Sequence, residues 1–253
     1  MKYSDCIKIY SKARLNRYEI ACNYDKQRTV QFYNYNIQMC QCFYGILCTF
    51  EIMLRNLISE HYSKCFGHDW MVAMAVNDKF SDFNKKEIKE HETEFRKAGN
   101  YSNDKMIASF TFGFWTGLFT KDSYRKEGKI LLQIFKNKPQ CYNKKQIYDE
   151  LKRIRYFRNR VAYYEPICFN NIKDKIRSVY VREQFYLICN YVSYFDYDPK
   201  ISIFFWALPE KIFQKLICWP ICYIYDFLFR KVNNVTYKIM LLVNTISLYT
   251  IFE

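Results

Sequence analysis

Glycine and proline are scarce, at 6 and 5 residues of 253. That excludes Gly-rich phosphate-cradling loops, collagen-like repeats and sandwiches punctuated by Gly/Pro turns. Histidine occurs only at His61, His68 and His91, which narrows the scope for imidazole catalysis. The chain has no Walker-type loop, dinucleotide fingerprint, His-Glu-x-x-His or Gly-x-Ser-x-Gly. Met1 leads into Lys2, Tyr3, Ser4 and Asp5, with no apolar signal core. A cytoplasmic location is therefore expected, with the 11 cysteines as reduced, small apolar groups. Cys65 and His68 make one candidate ligand pair, but no second pair follows at finger-like spacing. Neither metal nor cofactor is expected.

Aromatic residues and positive charge are abundant. There are 24 Tyr and 22 Phe, and the net charge is +14. Half of the residues are hydrophobic, so the chain can bury a large core. A basic surface of that size implies a polyanionic partner, with nucleic acid first and an anionic membrane surface second.

Periodicity predicts helices almost throughout. Phe43, Leu47, Phe50, Leu54 and Leu57 repeat at four-three-four-three spacing, and Glu51 and Arg55 can pair on that helix. The Lys/Glu-rich stretch from Asn77 to Asp104 reads as solvated, with Gly99-Asn100 ending it. Phe110, Phe112, Phe114, Trp115 and Phe119 read as core, with Gly113 and Gly117 admitting close backbone approach. A further helix starts near Asn143, whose pairing with Gln146 resembles a capping box, and Pro166 is expected to end it. From Ile201 onward the chain is strongly apolar, and residues 239–252 carry no charge. Those 14 residues fall short of the roughly 20 that span a bilayer, so a buried helical extension or membrane-surface association is expected there.

Ile147, Leu151, Ile154 and Val161 define an apolar stripe on the helix after Asn143. Arg158 falls about 40° from its centre. A cation in that position needs an anionic partner. Two readings stay open: an internal ion pair, for example with Glu51 or Glu165, or a phosphate ligand.

The run Leu151 to Ile167, LKRIRYFRNRVAYYEPI, resembles the signature of the bacterial abortive-infection (Abi) family, Leu-Arg-Asn-Arg-x-Ala-His-His-Glu-Pro-Ile. Other stretches agree in order. They are Tyr10 to Tyr18 (YSKARLNRY), Phe32 to Asn36 (FYNYN), Phe50 to Asn56 (FEIMLRN), Asp69-Trp70, and Ser109 to Leu118 (SFTFGFWTGL). The resemblance covers roughly residues 5 to 200. It implies an all-α, HEPN-like helical bundle over residues 1–200, beyond which the apolar composition reads as a helical extension over 201–253. It also implies a cytoplasmic homodimer whose paired arginine motifs form a metal-independent RNA-cleaving site in phage defence or as a toxin. An antitoxin or a guide-like small RNA is a further implied partner.

Carried over residue by residue, the resemblance makes Arg158 the phosphate ligand, with Asn159 and Tyr163 beside it. Glu51, Arg55, His61 and Tyr164 are accessory candidates. Lys152, Arg155 and Arg160 would draw in the RNA backbone. The chain departs from the signature where Tyr163 and Tyr164 replace the two histidines. Tyrosine ionises near pH 10 and is a weak base at neutrality, although it can donate a hydrogen bond or stack on a base. Three readings follow: a weakened or tyrosine-assisted endoribonuclease, a non-catalytic RNA-binding or regulatory protein, and a site completed by His61. His61 follows Arg55-Asn56 at a spacing one residue longer than the motif, yet it also extends the apolar stripe as an ordinary core residue. A membrane-surface protein is the reading from another class.

Overall fold

The computed structural model describes residues 2–169 and 178–199. The chain there is all-α. Ten α-helices are described, with no strand among the described residues. They are α1 (Tyr3–Tyr10), α2 (Lys12–Ala21), α3 (Lys26–Phe66), α4 (Trp70–Val76), α5 (Asp82–Lys97), α6 (Asn103–Ser109), α7 (Phe112–Gly117), α8 (Lys121–Lys126), α9 (Lys144–Ala162) and α10 (Ser178–Tyr194). A 3-10 turn, Leu131–Ile134, lies between α8 and α9. The expected extension 201–253 lies outside the described residues.

The chain divides into two compact units. Among the described residues, the first comprises residues 2–43, 161–169 and 178–185. Its core gathers around Tyr18, whose ring meets Phe32, Tyr33 and Phe169 edge-on, each at 5.3 Å. Edge-on contact sets the positive ring edge against the negative face of its neighbour. The Arg17 guanidinium covers the Phe169 ring at 4.8 Å.

Among the described residues, the second unit comprises residues 44–160 and 186–199. Phe50 is fully buried among Phe112, Tyr191 and Phe195. The expected stripe of α3 holds at Phe43, Leu47, Phe50 and Leu54 but leaves Leu57 half-buried. It continues instead through Ile58 and Tyr62, because 3.6 residues per turn drifts off a strict heptad. Trp70 and Trp115 are wholly buried, and their indole N–H groups donate to the Ser59 hydroxyl and the Phe110 carbonyl, both at 3.3 Å. The Phe110–Phe119 aromatics are core, as expected. A Cβ at Gly113 would lie 3.3 Å from Thr111 Oγ1, so close approach is real there. Gly117 corrects the expectation: its missing side chain faces open space.

The solvated stretch forms α5, with Ser81 Oγ accepting from the Asn84 amide at 3.3 Å and Gly99 at φ +65° beyond its end. α3 is 41 residues long, with a mean hydropathy of 1.4 over its most apolar window, 39% of which is buried. By length and composition it could cross a membrane, a test that the core helix of a soluble protein also passes.

Candidate functional site

The helix carrying the signature begins as expected. The Gln146 amide donates to Asn143 Oδ1 at 3.1 Å, and the Asn143 amide donates to Gln146 Oε1 at 2.9 Å. This reciprocal pairing satisfies two of the amides that a helix start leaves free. Ile147, Leu151, Ile154 and Val161 are buried, and Phe157 joins them. Arg158 therefore emerges at the edge of an apolar face.

Arg158 Nε lies 3.3 Å from Glu51 Oε2, with the two side chains 33% and 19% exposed. Of the two carboxylates considered for it, the fold supplies Glu51. Glu165 instead has an exposed side chain, and its carbonyl accepts from Asn36. The Glu51–Arg55 pair expected within α3 is absent: Glu51 turns to Arg158, and Arg55 Nε donates to Asn56 Oδ1 at 3.2 Å. An exposed i,i+4 pair is worth only a few tenths of a kcal/mol, so a half-buried tertiary partner displaces it. Asn159 is exposed.

The cations proposed for RNA differ in setting. Lys152 and Arg155 are half-exposed, and both approach the ring of Tyr156, at 5.7 and 5.8 Å from its centroid. Arg155 Nη1 also donates to Thr116 Oγ1 at 3.3 Å. Tyr156 is 53% exposed and went unnoticed in the sequence. Its position four residues after Lys152 and one after Arg155 was the available signal. Arg160 is turned inward, at 8% exposure, and is not presented to solvent. Arg153, on nearly the same side of the helix two turns earlier, is exposed, so tertiary surroundings decide the difference.

The helix ends at Ala162, four residues before Pro166. Tyr164 adopts φ +52°, a left-handed conformation that stops an α-helix. Arg14 Nη2 donates to the Tyr163 carbonyl at 2.6 Å and to the Tyr164 carbonyl at 3.1 Å. Asn36, fully buried, holds the next residues: Nδ2 donates to the Glu165 carbonyl at 3.0 Å, and Oδ1 accepts from the Ile167 amide at 2.9 Å. Tyr163 and Tyr164 are left 69% and 43% exposed. Neither Arg14 nor Asn36 was singled out from the sequence, although both lie in stretches that carry the resemblance.

His61 is half-buried, and among the described residues its Nε2 is buried without a hydrogen-bond partner. Burial, aided by the charge of Lys64, holds its pKa below the ordinary value, against the pull of the nearby Ile130 backbone. No hydrogen bond or ion pair joins His61 to Arg158 among the described residues. Beside it, Tyr62 donates to Glu127 Oε2 at 2.9 Å and the Leu131 amide to Oε1 at 3.2 Å. Burial pushes the Glu127 carboxyl up to about 7 despite these donors. This buried carboxylate was not anticipated.

Arg55 and Asn56 line an open groove of about 510 Å³ with Ser59 and Ser63 of α3 and Asp104 and Ile107 of α6. Among the described residues, no group of three or more His, Cys, Asp or Glu could hold a metal ion. No family model matches the chain, and no characterised protein or solved structure does either.

Proposed function

We propose that the chain acts on RNA as a cytoplasmic, metal-independent endoribonuclease of the Abi/HEPN kind that it resembles, in phage defence or as a toxin. Arg158 is the phosphate ligand, Asn159 and Tyr163 follow it, and a second copy of the chain supplies the matching arginine. Tyr163 in the histidine position weakens the proton transfer. The observation that carries this reading is where the separate stretches of the resemblance fold. Within the second unit, Glu51 of FEIMLRN meets Arg158, and Thr116 of SFTFGFWTGL meets Arg155. Within the first unit, Arg14 of YSKARLNRY and Asn36 of FYNYN hold residues 163–167. Two stretches thus bind residues 151–160 of the signature within the second unit, and two others bind residues 161–167 within the first. Chance likeness at scattered positions gives no reason for those pairings.

A second reading, RNA binding without cleavage, is favoured by two observations. Tyrosine replaces the group that titrates near neutrality, and Glu51 offsets the Arg158 charge that phosphate would feel. The pair is closed at Nε, and a guanidinium has five N–H donors, more than one carboxylate satisfies, so phosphate contact by the others is compatible with it.

Labelled RNA incubated with the protein in EDTA separates the readings. Cleavage by wild type that is lost in Arg158→Ala supports the enzyme. Cleavage that rises by about 10²–10⁴-fold in Tyr163→His, from little or none in wild type, supports a lapsed nuclease. RNA affinity that strengthens in Glu51→Gln and weakens in Arg158→Ala supports phosphate contact at this arginine. Activity and affinity equal in every variant, His61→Ala included, remove RNA from this site.

A further inference from the structure

We propose that Arg14 is a positioning residue for Tyr163: it holds the backbone just past α9 so that the Tyr163 side chain is presented to RNA from a fixed place. The inference rests on the RNA reading above and assigns a role to a residue outside the signature.

The last carbonyls of a helix have no partner within it, and their partial negative charge favours a cation. Arg14 stands at that end with one nitrogen bonding the two consecutive carbonyls just past α9, those of Tyr163 and Tyr164. The Tyr164 amide reaches back to the Val161 carbonyl at 3.1 Å, closing the left-handed turn. Asn36 then clamps both sides of Pro166, through the Glu165 carbonyl and the Ile167 amide. Residues 163–167 are therefore tied at four backbone groups by two side chains.

The clamp is itself held. The Arg14 charge lies beside the Tyr33 side chain, and Tyr33 packs on Tyr10 and Tyr18 at 4.7 and 5.3 Å. Among the described residues no carboxylate pairs with Arg14, so its charge serves the helix end and not an ion pair. Tyr163 is accordingly pinned through its carbonyl while most of its side chain stays in solvent. A pinned backbone suits a ligand contact, because only the side chain has freedom left to lose when the contact forms.

Arg14→Lys keeps the charge but loses the longer reach and the rigid planar guanidinium that set one nitrogen against both carbonyls. A mutant cycle on the full chain decides, with affinity for a labelled RNA read for wild type, Arg14→Lys, Tyr163→Ala and the double variant. Melting of each variant confirms folding. The expected result is a loss of roughly tenfold for Arg14→Lys alone, and under about twofold once Tyr163 is alanine. Hydrogen exchange at the Tyr164, Glu165 and Ile167 amides should rise in Arg14→Lys. Equal losses in both backgrounds overturn the proposal, as does unchanged affinity in Arg14→Lys. If either occurs while Arg158→Ala still abolishes binding, the RNA reading stands and only the positioning role falls. No RNA binding by wild type overturns both.

Discussion

Arg158 shows how far a single position can be read. Its place beside an apolar stripe demanded a partner, and the demand is met at 3.3 Å by Glu51. Which carboxylate answered was not legible, because Glu51 and Glu165 lie on either side of it in the sequence and neither distance along the chain predicts proximity. Glu127 was missed for a related reason. A lone glutamate in a polar stretch looks solvated, and only the fold buries it beside Tyr62. Its carboxyl sits at about 7 in the folded state against an ordinary value of 4.5. A raised acid stabilises the fold fully below its unfolded value, and that contribution is lost as pH rises through the folded one. Between pH 5 and pH 8 it should remove on the order of 2–3 kcal/mol from stability. His61 acts oppositely: its lowered value means a contribution lost as pH falls. Urea denaturation of wild type and Glu127→Gln at pH 5 and pH 8 isolates the carboxyl. The wild-type decline with pH should be steeper, and equal slopes would show that Glu127 does not titrate in this range.

At the scale of elements, α9 was the most legible piece of the chain. Its start followed from local chemistry, since a cap and its partner three residues on need nothing from the rest of the fold. Asn143→Ala should therefore lower stability by about 1 kcal/mol, measured by chemical denaturation. An unchanged midpoint would mean the helix is held by packing alone. Its end was misjudged by four residues. Pro166 disfavours helix at the residue before it, but a left-handed Tyr164 and an arginine from α2 stop the chain earlier. α3 shows the same limit: a stripe drawn from five residues found Phe43, Leu47, Phe50 and Leu54 but missed Ile46, Ile58, Tyr62 and the buried face before Phe43.

For the molecule as a whole, a net charge of +14 makes salt the sharpest probe of any RNA contact. Lys152→Ala and Arg155→Ala should each flatten the dependence of log affinity on log salt by roughly 0.7. Arg160→Ala should leave the slope unaltered, because that side chain is interior. Unchanged slopes for Lys152 and Arg155 would show that RNA does not lie along this face of α9. Composition and periodicity alone determined the all-α class, the aromatic core, the basic character and the capped start of α9, since each depends on neighbours within about one helical turn. Only the tertiary structure decided that Glu51 answers Arg158, that Arg160 turns inward, and that Arg14 and Asn36 hold the segment after α9. Those contacts join residues more than a hundred positions apart, and no local pattern records which distant side chain will complete a charge or a helix end.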